Sequence, residues 1–247
     1  MKTSGRGIVI KEQTVGESDR LVTLLTSDLG IIKAFVRRAK SVNSSAVCST
    51  TLFSYCEFTL YKNKDAYTVA NAVPIDIFFN LRKSLENLSL AQYFAQLVLE
   101  FGYEDRPSPE MLSLFLNSLH LLCSENPDRE KIKAVFELRS ACLGGYMPNI
   151  VACNECVEYE SDVMYFDTDS ATIYCEKCGV GKGLKPLPLG VITAVRFICL
   201  SEMKKIFKFK LKKENMSLLA ECAESFVTKR TAYDLSALKF YKDIIKL

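Results

Sequence analysis

Histidine is almost absent from this sequence: its 247 residues contain one, His120. That residue lies in the apolar stretch Leu119-His120-Leu121-Leu122, which is typical of a helix face rather than of a catalytic site. Any Ser or Cys nucleophile activated by histidine would depend on this single imidazole. Acidic residues are scattered rather than paired at a readable spacing. These features argue against an enzyme.

The glycine motifs of nucleotide-binding and acyl-transferring enzymes are also missing. The sequence has no G-x-x-x-x-G-K-[ST], no G-x-G-x-x-G after a strand and no G-x-S-x-G. The nearest approach, residues 179–183, lacks the leading glycine and the Ser or Thr after the lysine. We therefore predict a protein without catalytic activity.

Long apolar runs are absent as well. None approaches the roughly 20 residues of a membrane-spanning helix, and the first residues, MKTSGRG, lack the apolar core of a signal peptide. We expect a cytoplasmic protein without a membrane partner. Its ten cysteines should be reduced unless a metal binds them.

Charge is distributed unevenly over a chain of ordinary globular composition, with 49% hydrophobic and 25% charged residues. The net charge is only +3. Residues 1–80 carry ten basic and seven acidic side chains, and residues 81–150 carry seven basic and nine acidic ones. Residues 151–180 carry one basic and seven acidic side chains, and residues 181–247 carry fourteen basic and six acidic ones. A basic start, an acidic insert and a basic end indicate a polyanionic partner for the two basic parts.

Short runs rich in β-branched residues dominate the first 80 residues. Five strands are predicted, over residues 8–10, 21–25, 31–36, 52–61 and 66–73. Turn sequences such as Gly16-Glu17-Ser18-Asp19 separate them. Five short strands suit a small closed barrel, so residues 1–80 are predicted to form a barrel domain.

From Leu81 the apolar residues recur at helical spacing. Helices are predicted over residues 85–101, 109–122, 128–143, 189–207, 214–229 and 235–245. Pro109 suits a first helical position, and Asp128 suits an N-cap. Residues 81–150 and 181–247 are therefore predicted to form a helical domain that is interrupted by an insert, residues 151–180.

The insert contains two C-x-x-C pairs. Cys153 and Cys156 precede Cys175 and Cys178 with 18 residues between the pairs, a spacing typical of a structural zinc site. Each pair forms a turn that aims two thiolates at one point, and four thiolates leave no position for a catalytic water. A disulfide pair is the alternative. The other cysteines are interpreted as core or incidental residues.

A zinc ribbon with four cysteine ligands can bind nucleic acid or serve as a structural clip. Residues 164–166 and 172–174 are predicted to form the two short strands of such a ribbon. Seven acidic residues against one basic residue disfavour contact with phosphates. The clip, which staples a segment too small for a core of its own, is the favoured interpretation.

A basic cluster follows the third predicted strand. Arg37, Arg38 and Lys40 precede a loop of small residues, 41–51, while Arg20 and other cations lie elsewhere on the predicted barrel. Small barrels bind single strands by combining a basic groove with stacking aromatics, for which the candidates are Phe35, Phe53 and Tyr55. We expect the cluster to contact DNA phosphates under the loop. A solvated surface is the alternative.

A second basic cluster occupies residues 204–213, which include six lysines. On a helix one side would carry Lys204, Lys205, Lys208 and Lys212. Phe207, Phe209 and Leu211 could anchor the segment to the helical core. A phosphate-binding stripe, a docking site for an acidic peptide tail and a solvated face all remain open.

Several stretches in a fixed order resemble the bacterial RecO recombination-mediator family. The N-terminal signature is matched by residues 16–26, 29–34 and 37–41, and residues 136–148 lead into the Cys153 knuckle as they do in that family. The resemblance covers nearly the whole chain. It departs at Val157, because the family often has glycine after its first C-x-x-C pair.

The resemblance implies an α+β protein with an N-terminal OB-fold barrel, a helical body and an inserted four-cysteine zinc ribbon that holds one structural Zn2+. It also implies that the protein binds single- and double-stranded DNA, anneals strands, and acts with RecR, and sometimes RecF, to load RecA onto DNA coated by single-strand-binding protein. The DNA-binding positions that carry over are Arg37, Arg38 and Lys40, together with Arg20.

Two expectations remain beside this one. The lysine-rich cluster, with Lys204, Lys205, Lys208 and Lys212, is expected to dock an acidic partner such as the tail of single-strand-binding protein. The alternative to a mediator is an adaptor without important DNA contacts of its own, in which the helices and the ribbon organise other proteins.

Overall fold

The computed structural model describes residues 2–37, 49–63, 66–232 and 234–246. The strands are β1 (Lys2–Val15), β2 (Asp19–Thr26), β3 (Gly30–Val36), β4 (Tyr55–Lys62), β5 (Tyr67–Asp76), β6 (Val163–Asp167), β7 (Thr172–Cys175) and β8 (Pro186–Pro188). The α-helices are α1 (Leu85–Phe101), α2 (Pro109–Leu122), α3 (Arg129–Leu143), α4 (Glu176–Gly179), α5 (Leu189–Leu200), α6 (Lys213–Thr228) and α7 (Ser236–Ile244). A short 3₁₀ helix, Phe79–Lys83, precedes α1.

The first five strands form a closed barrel in the order β1-β2-β3-β5-β4. β1 is much longer than predicted and closes the barrel, because residues 2–8 pair with β4 and residues 7–15 pair with β2 across a bulge between Val9 and Lys11. β3 and β5 run parallel, and the other neighbours run antiparallel. This five-stranded topology confirms the predicted OB fold.

Alternation along the strands divides the apolar residues of the barrel between two cores. Val9, Val22, Leu24 and Ile32 point into the barrel, where they meet Phe58 and form a closed cluster. Their neighbours on the other face pack on the helices instead; they are Ile8, Ile10, Leu25 and Ile31. Because successive side chains of a strand point to opposite faces, the barrel has an apolar interior and an apolar outer face that packs against the rest of the molecule.

Backbone contacts fasten the barrel to the helices at one turn. Gly30 has a left-handed backbone (φ 65°), and a side chain there would overlap the carbonyl oxygens of Tyr103 and Arg106. The next residue, Ile31, donates its N–H to the Tyr103 oxygen at 2.9 Å, and Ser108 donates to the Ser27 oxygen at 2.9 Å. Only glycine permits this close approach.

The helices pack around aromatic residues and one buried ionic network. Phe94 of α1 stacks on Phe136 of α3 with ring centroids 4.1 Å apart. Beside them, Lys133 lies 2.8 Å from Glu137 and 2.9 Å from Glu224, and Glu137 accepts the Tyr93 hydroxyl at 2.7 Å. Burial lowers the pKa of Lys133, but the two carboxylates outweigh it and raise that pKa.

The cysteine-rich insert builds a three-stranded sheet in the order β7-β6-β8. The hairpin of β6 and β7 matches the two predicted strands, whereas β8 was not expected. Its three residues follow the predicted insert in sequence and pair with β6, so the sheet uses residues beyond position 180. One face of the sheet, with Met164, Phe166 and Ile173, packs into the same core as the helices.

Two sequence-based expectations about the helices are settled by this arrangement. Asp128 caps α3 by accepting the N–H of Lys131, and Pro109 begins α2, both as predicted. Among the described residues, no helix is both long enough and apolar enough to cross a lipid bilayer.

The ionic network predicts a large cost for removing its cation. Lys133→Met would leave Glu137 and Glu224 side by side without the lysine, and breaking a buried pair in this way costs about 3–5 kcal/mol. Denaturant unfolding should show this loss in the free energy of unfolding. Lys185→Met removes the partner of Glu221 at the surface and should change it by less than about 1 kcal/mol. Equal effects of the two variants would contradict the assignment.

Candidate metal centre and nucleic-acid interface

The four predicted cysteine ligands converge on one point. The Sγ atoms of Cys153, Cys156, Cys175 and Cys178 all lie within 4.8 Å of one another. Cys153 and Cys175 are buried, whereas Cys156 is exposed. The first pair comes from a turn before β6, and the second from the end of β7 and from α4.

Backbone hydrogen bonds hold the first cysteine turn against the sheet. Cys153 donates its N–H to the Glu158 oxygen at 2.8 Å, and Asn154 donates to the Ile173 oxygen of β7 at 2.8 Å. In the second turn, Gly179 lies directly on the Tyr165 ring, where a side chain would overlap it. The two turns are therefore positioned by the sheet.

The sulfur spacing fits metal coordination better than a disulfide. Cys156 Sγ and Cys175 Sγ are 3.5 Å apart, whereas a disulfide requires about 2.05 Å. Four ligands at about 2.3 Å around a tetrahedral ion would lie about 3.8 Å from one another. The cluster can thus hold one metal ion with little movement, and four sulfur donors would complete its coordination.

The surroundings of Cys153 and Cys178 shift the pKa values of these two thiols in opposite directions. Burial raises the pKa of Cys153, but backbone N–H groups of Cys156, Cys175 and Glu155 outweigh it and lower that pKa to about 6. Hydrogen bonding to Cys156 and the neighbouring sulfurs raises the pKa of Cys178 instead. A cation bound among the sulfurs would favour their thiolate forms.

Two arginines that the sequence analysis missed join the metal-binding ribbon to the helices. Arg196 of α5 is buried and donates to the carbonyl oxygens of Ile150, Val151 and Tyr159 at 2.7, 3.0 and 2.6 Å, on both sides of the first cysteine turn. Arg230, after α6, donates to the Thr168 oxygen in the β6–β7 turn at 2.7 Å. Their partners are backbone oxygens, which leave no pattern in the sequence.

The outer face of the barrel carries the DNA-binding candidate Arg37 next to an aromatic residue. Lys33, Phe35 and Arg37 follow one another at a spacing of two along β3 and its end, with the two cations exposed and Phe35 half-buried. Across the sheet, Lys33 faces Thr23, which in turn faces Lys11 of β1. The helices cover the other end of this face, at Ile31, and among the described residues Lys33 and Arg37 remain exposed.

Arg20, the other DNA-binding candidate that the structure describes, does not lie on that face. Arg20 lies opposite Val36, on the side of the barrel interior, where it pairs with Glu12 at 3.2 Å and donates to the Thr50 oxygen at 3.1 Å. Arg38 and Lys40, and most of the 41–51 loop, lie outside the described residues.

Two of the three candidate stacking aromatics pack in the core. Phe53 is fully buried and contacts Phe115 of α2, with ring centroids 6.2 Å apart. Tyr55 is half-buried and packs against the same core. The barrel uses this face to join the helices, so only Phe35 remains available as a stacking residue beside cations.

The lysine-rich cluster is not helical, which corrects the sequence-based expectation. α5 ends at Leu200, and residues 201–212 form turns and extended chain before α6 begins at Lys213. Lys204, Lys205, Lys208 and Lys212 are exposed but do not share a helix face. From residue 208 to 212 exposure alternates instead, which places Lys210 between Lys208 and Lys212.

The apolar residues of this cluster have the predicted anchoring role. Ile206 is fully buried, and Phe207, Phe209 and Leu211 pack against the core. Lys131 of α3 donates to the Phe209 oxygen at 2.7 Å and lies 4.6 Å from the centre of its ring. Over residues 208–212 these inward side chains alternate with the lysines. This is the pattern of an extended chain rather than of a helix.

The backbone at Val157 predicts a gain in metal affinity on substitution. Val157 follows the first cysteine pair with a left-handed φ of 64°, which costs a β-branched residue about 1–2 kcal/mol. Val157→Gly should remove that cost and tighten metal binding by about 1 kcal/mol, roughly fivefold, in competition with a chromogenic chelator. Val180→Gly, where φ is −59°, is the matched control and should not tighten binding. Equal affinities of Val157→Gly and the parent would show that the turn is unstrained.

Comparison with known proteins agrees with the two parts of this architecture. A family model described as "Recombination protein O N terminal" matches residues 1–78, and one described as "Recombination protein O C terminal" matches residues 82–235.

Relatives called DNA repair protein RecO align over most of the chain. The protein of Acetivibrio thermocellus is 33% identical, over 100% of this chain and 98% of its own length. The protein of Caldicellulosiruptor saccharolyticus is 25% identical over 97% of each chain. That of Dehalococcoides mccartyi is 28% identical over 87% of this chain and 85% of its own. With both family models matched in order and the cysteine cluster inside the second, the chain belongs to the Recombination protein O family of DNA repair proteins.

Proposed function

We propose that this protein is a non-enzymatic, DNA-binding recombination mediator of the bacterial cytoplasm, associated with the nucleoid. It binds and anneals single strands and helps RecR, and in some cases RecF, to load RecA onto DNA coated by single-strand-binding protein. The main support for DNA binding is the barrel face that presents Lys33, Phe35 and Arg37 in one row, at every second residue. Cations and an aromatic ring in one row are the elements that single-strand-binding barrels combine.

Strand annealing needs no active site. Lys33 and Arg37, about 13 Å apart along an extended chain, neutralise phosphates on either side of a base that stacks on Phe35. Lowering the repulsion between two strands lets base pairing supply the driving force.

Arg38 and Lys40 continue the chain beyond Arg37 and are proposed as further phosphate contacts. Arg20, which is engaged by Glu12 and Thr50, is better explained as a brace at the end of the barrel.

We further propose that the metal is one structural Zn2+. Four sulfur donors in a small cluster suit zinc, and filled coordination leaves no open position for chemistry. Cys153, Cys156, Cys175 and Cys178 would hold the ion, which neutralises part of the charge of their thiolates and holds the two cysteine turns together.

The lysine-rich cluster is proposed to dock the acidic tail of single-strand-binding protein. Support comes from exposed Lys208, Lys210 and Lys212, whose alternation along an extended segment would face an extended acidic peptide. Phe207 and Phe209 pack against the protein's own core and offer less of an apolar foothold than expected. The same lysines are the alternative site for DNA.

Salt titration of single-stranded DNA binding tests the barrel face. Lys33→Ala with Arg37→Ala should weaken binding to any sequence and flatten the log–log salt slope by roughly 1.4, at about 0.7 per lost contact. Adding Arg38→Ala and Lys40→Ala should flatten it further by a similar amount. Phe35→Ala should cost about 1–3 kcal/mol without changing the slope.

The control for that titration removes two exposed lysines outside the barrel, with Lys83→Ala and Lys239→Ala, and should leave the slope unchanged. An unchanged slope in the folded barrel variant would move the DNA site to the lysine-rich cluster. Negligible binding by the parent protein at low salt would favour the adaptor instead.

Metal removal should damage stability rather than DNA contact. Protein purified without chelator should contain one zinc per chain by elemental analysis. Cys153→Ser should release it and unfold the ribbon, because structural zinc contributes about 10–16 kcal/mol in isolated finger peptides. The salt slope of DNA binding should stay unchanged, since the ribbon carries little positive charge. A protein without tightly bound zinc would overturn this assignment.

A further inference from the structure

Four large apolar side chains of the ribbon are more than half exposed in the described part of the chain. Val157 is 76% exposed, Val180 66%, Val151 57% and Tyr159 53%. They lie outside the three strands of the ribbon sheet, one face of which is buried in the helical core. Monomeric proteins rarely expose several large apolar residues in one place without an interaction to serve.

These four residues lie around the metal centre. Val157 and Val180 directly follow the two cysteine turns, within two residues of Cys156 and Cys178, whose sulfurs lie within 4.8 Å of one another. Val151 and Tyr159 accept hydrogen bonds from the same nitrogen of Arg196. We call this set the knuckle face: Val151, Val157, Tyr159 and Val180.

The knuckle face is preorganised. Cysteine turns, the sheet and Arg196 hold its backbone, and the Arg196 guanidinium lies 4.2 Å from the centre of the Tyr159 ring. A partner would not have to order these residues on binding, which lowers the entropic cost of association.

The presence of valine at position 157 is not explained by the stability of the ribbon. It keeps a β-branched side chain at a left-handed position that favours glycine, yet that side chain is exposed and packs on nothing. Strained residues that persist without a packing benefit are frequent at functional sites.

The charge of the residues around the knuckle face indicates which kind of partner binds there. Glu158, Glu160, Asp162 and Glu176 are exposed around the knuckle face, and among the described residues none of them forms an ion pair. DNA and anionic lipid surfaces are repelled by this field, whereas a protein surface with lysines or arginines around an apolar patch is attracted. We propose that the knuckle face docks a protein partner whose contact surface is apolar and basic.

A matched set of peptides can test the recognition. The probe is a synthetic helical peptide of lysine and leucine with its leucines on one side. One control peptide replaces lysine by glutamate, and the other replaces leucine by serine. We expect only the lysine–leucine peptide to bind zinc-loaded protein by fluorescence anisotropy, with NMR shift changes concentrated in residues 151–180.

Variants of the protein locate the contact. Val157→Ser with Val180→Ser should weaken binding of this peptide about tenfold or more, as expected for the loss of two buried valines. Glu158→Lys with Glu160→Lys should weaken it to a similar extent. Val73→Ser with Ile75→Ser alters two equally apolar barrel residues, 52% and 50% exposed, and should have no effect. Zinc content is measured in each variant to show that the ribbon is intact.

Four outcomes would overturn the proposal. They are no binding of the lysine–leucine peptide, equal binding of the leucine-free peptide, equal binding by the valine variant, and shift changes outside residues 151–180. Concentration-dependent self-association that the valine variant abolishes would assign the face to a second copy of the chain, and would overturn it as well.

Discussion

One continuous apolar core is the constraint on which this architecture depends. It runs from the helix-facing side of the barrel, at Ile8 and Leu25, through the helices to Met164 and Ile173 of the ribbon. Only the barrel interior forms a separate cluster among the described residues. Because a sheet of three short strands cannot bury enough surface alone, the ribbon relies on this shared core to bury one of its faces. Both the barrel and the ribbon are thus fixed to the helical body by burial rather than by flexible linkers.

The barrel and the ribbon are both attached rigidly to the helices, so the basic surface of the one stays apart from the acidic surface of the other. The arginine contacts at Arg196 and Arg230 fix both ends of the ribbon to α5 and to the end of α6. The basic, open end of the barrel lies on β3, whereas the acidic charge is collected on the ribbon. On the proposed assignments, DNA at Lys33 and Arg37 would not be drawn to the acidic ribbon, and a basic protein docked on the ribbon would not compete for the DNA face.

The sequence predicted those features that local pattern determines. The spacing of Cys153, Cys156, Cys175 and Cys178 was sufficient for the metal cluster, and alternation of apolar residues was sufficient for the barrel. The helix predicted through residue 207 was wrong: α5 ends at Leu200, residues 203–207 form turns, and lysines at every second residue from 208 to 212 suit an extended chain. β8 contains two prolines in three residues and has no strand signal. Arg196 was invisible because its partners are main-chain oxygens, whose positions depend on the tertiary fold.

Val157 shows how the stability and the function of the ribbon can conflict. At φ 64° glycine would be the more stable residue, as the resemblance to the family suggested from sequence. Glycine would also remove the most exposed apolar side chain beside the metal centre. A substitution that tightens metal binding should then weaken docking of a basic, apolar partner. Since Val157→Gly and Val157→Ser both remove the isopropyl group but only glycine relieves the backbone, the two variants separate strain from contact. Both should lose the partner, and only Val157→Gly should bind metal more tightly.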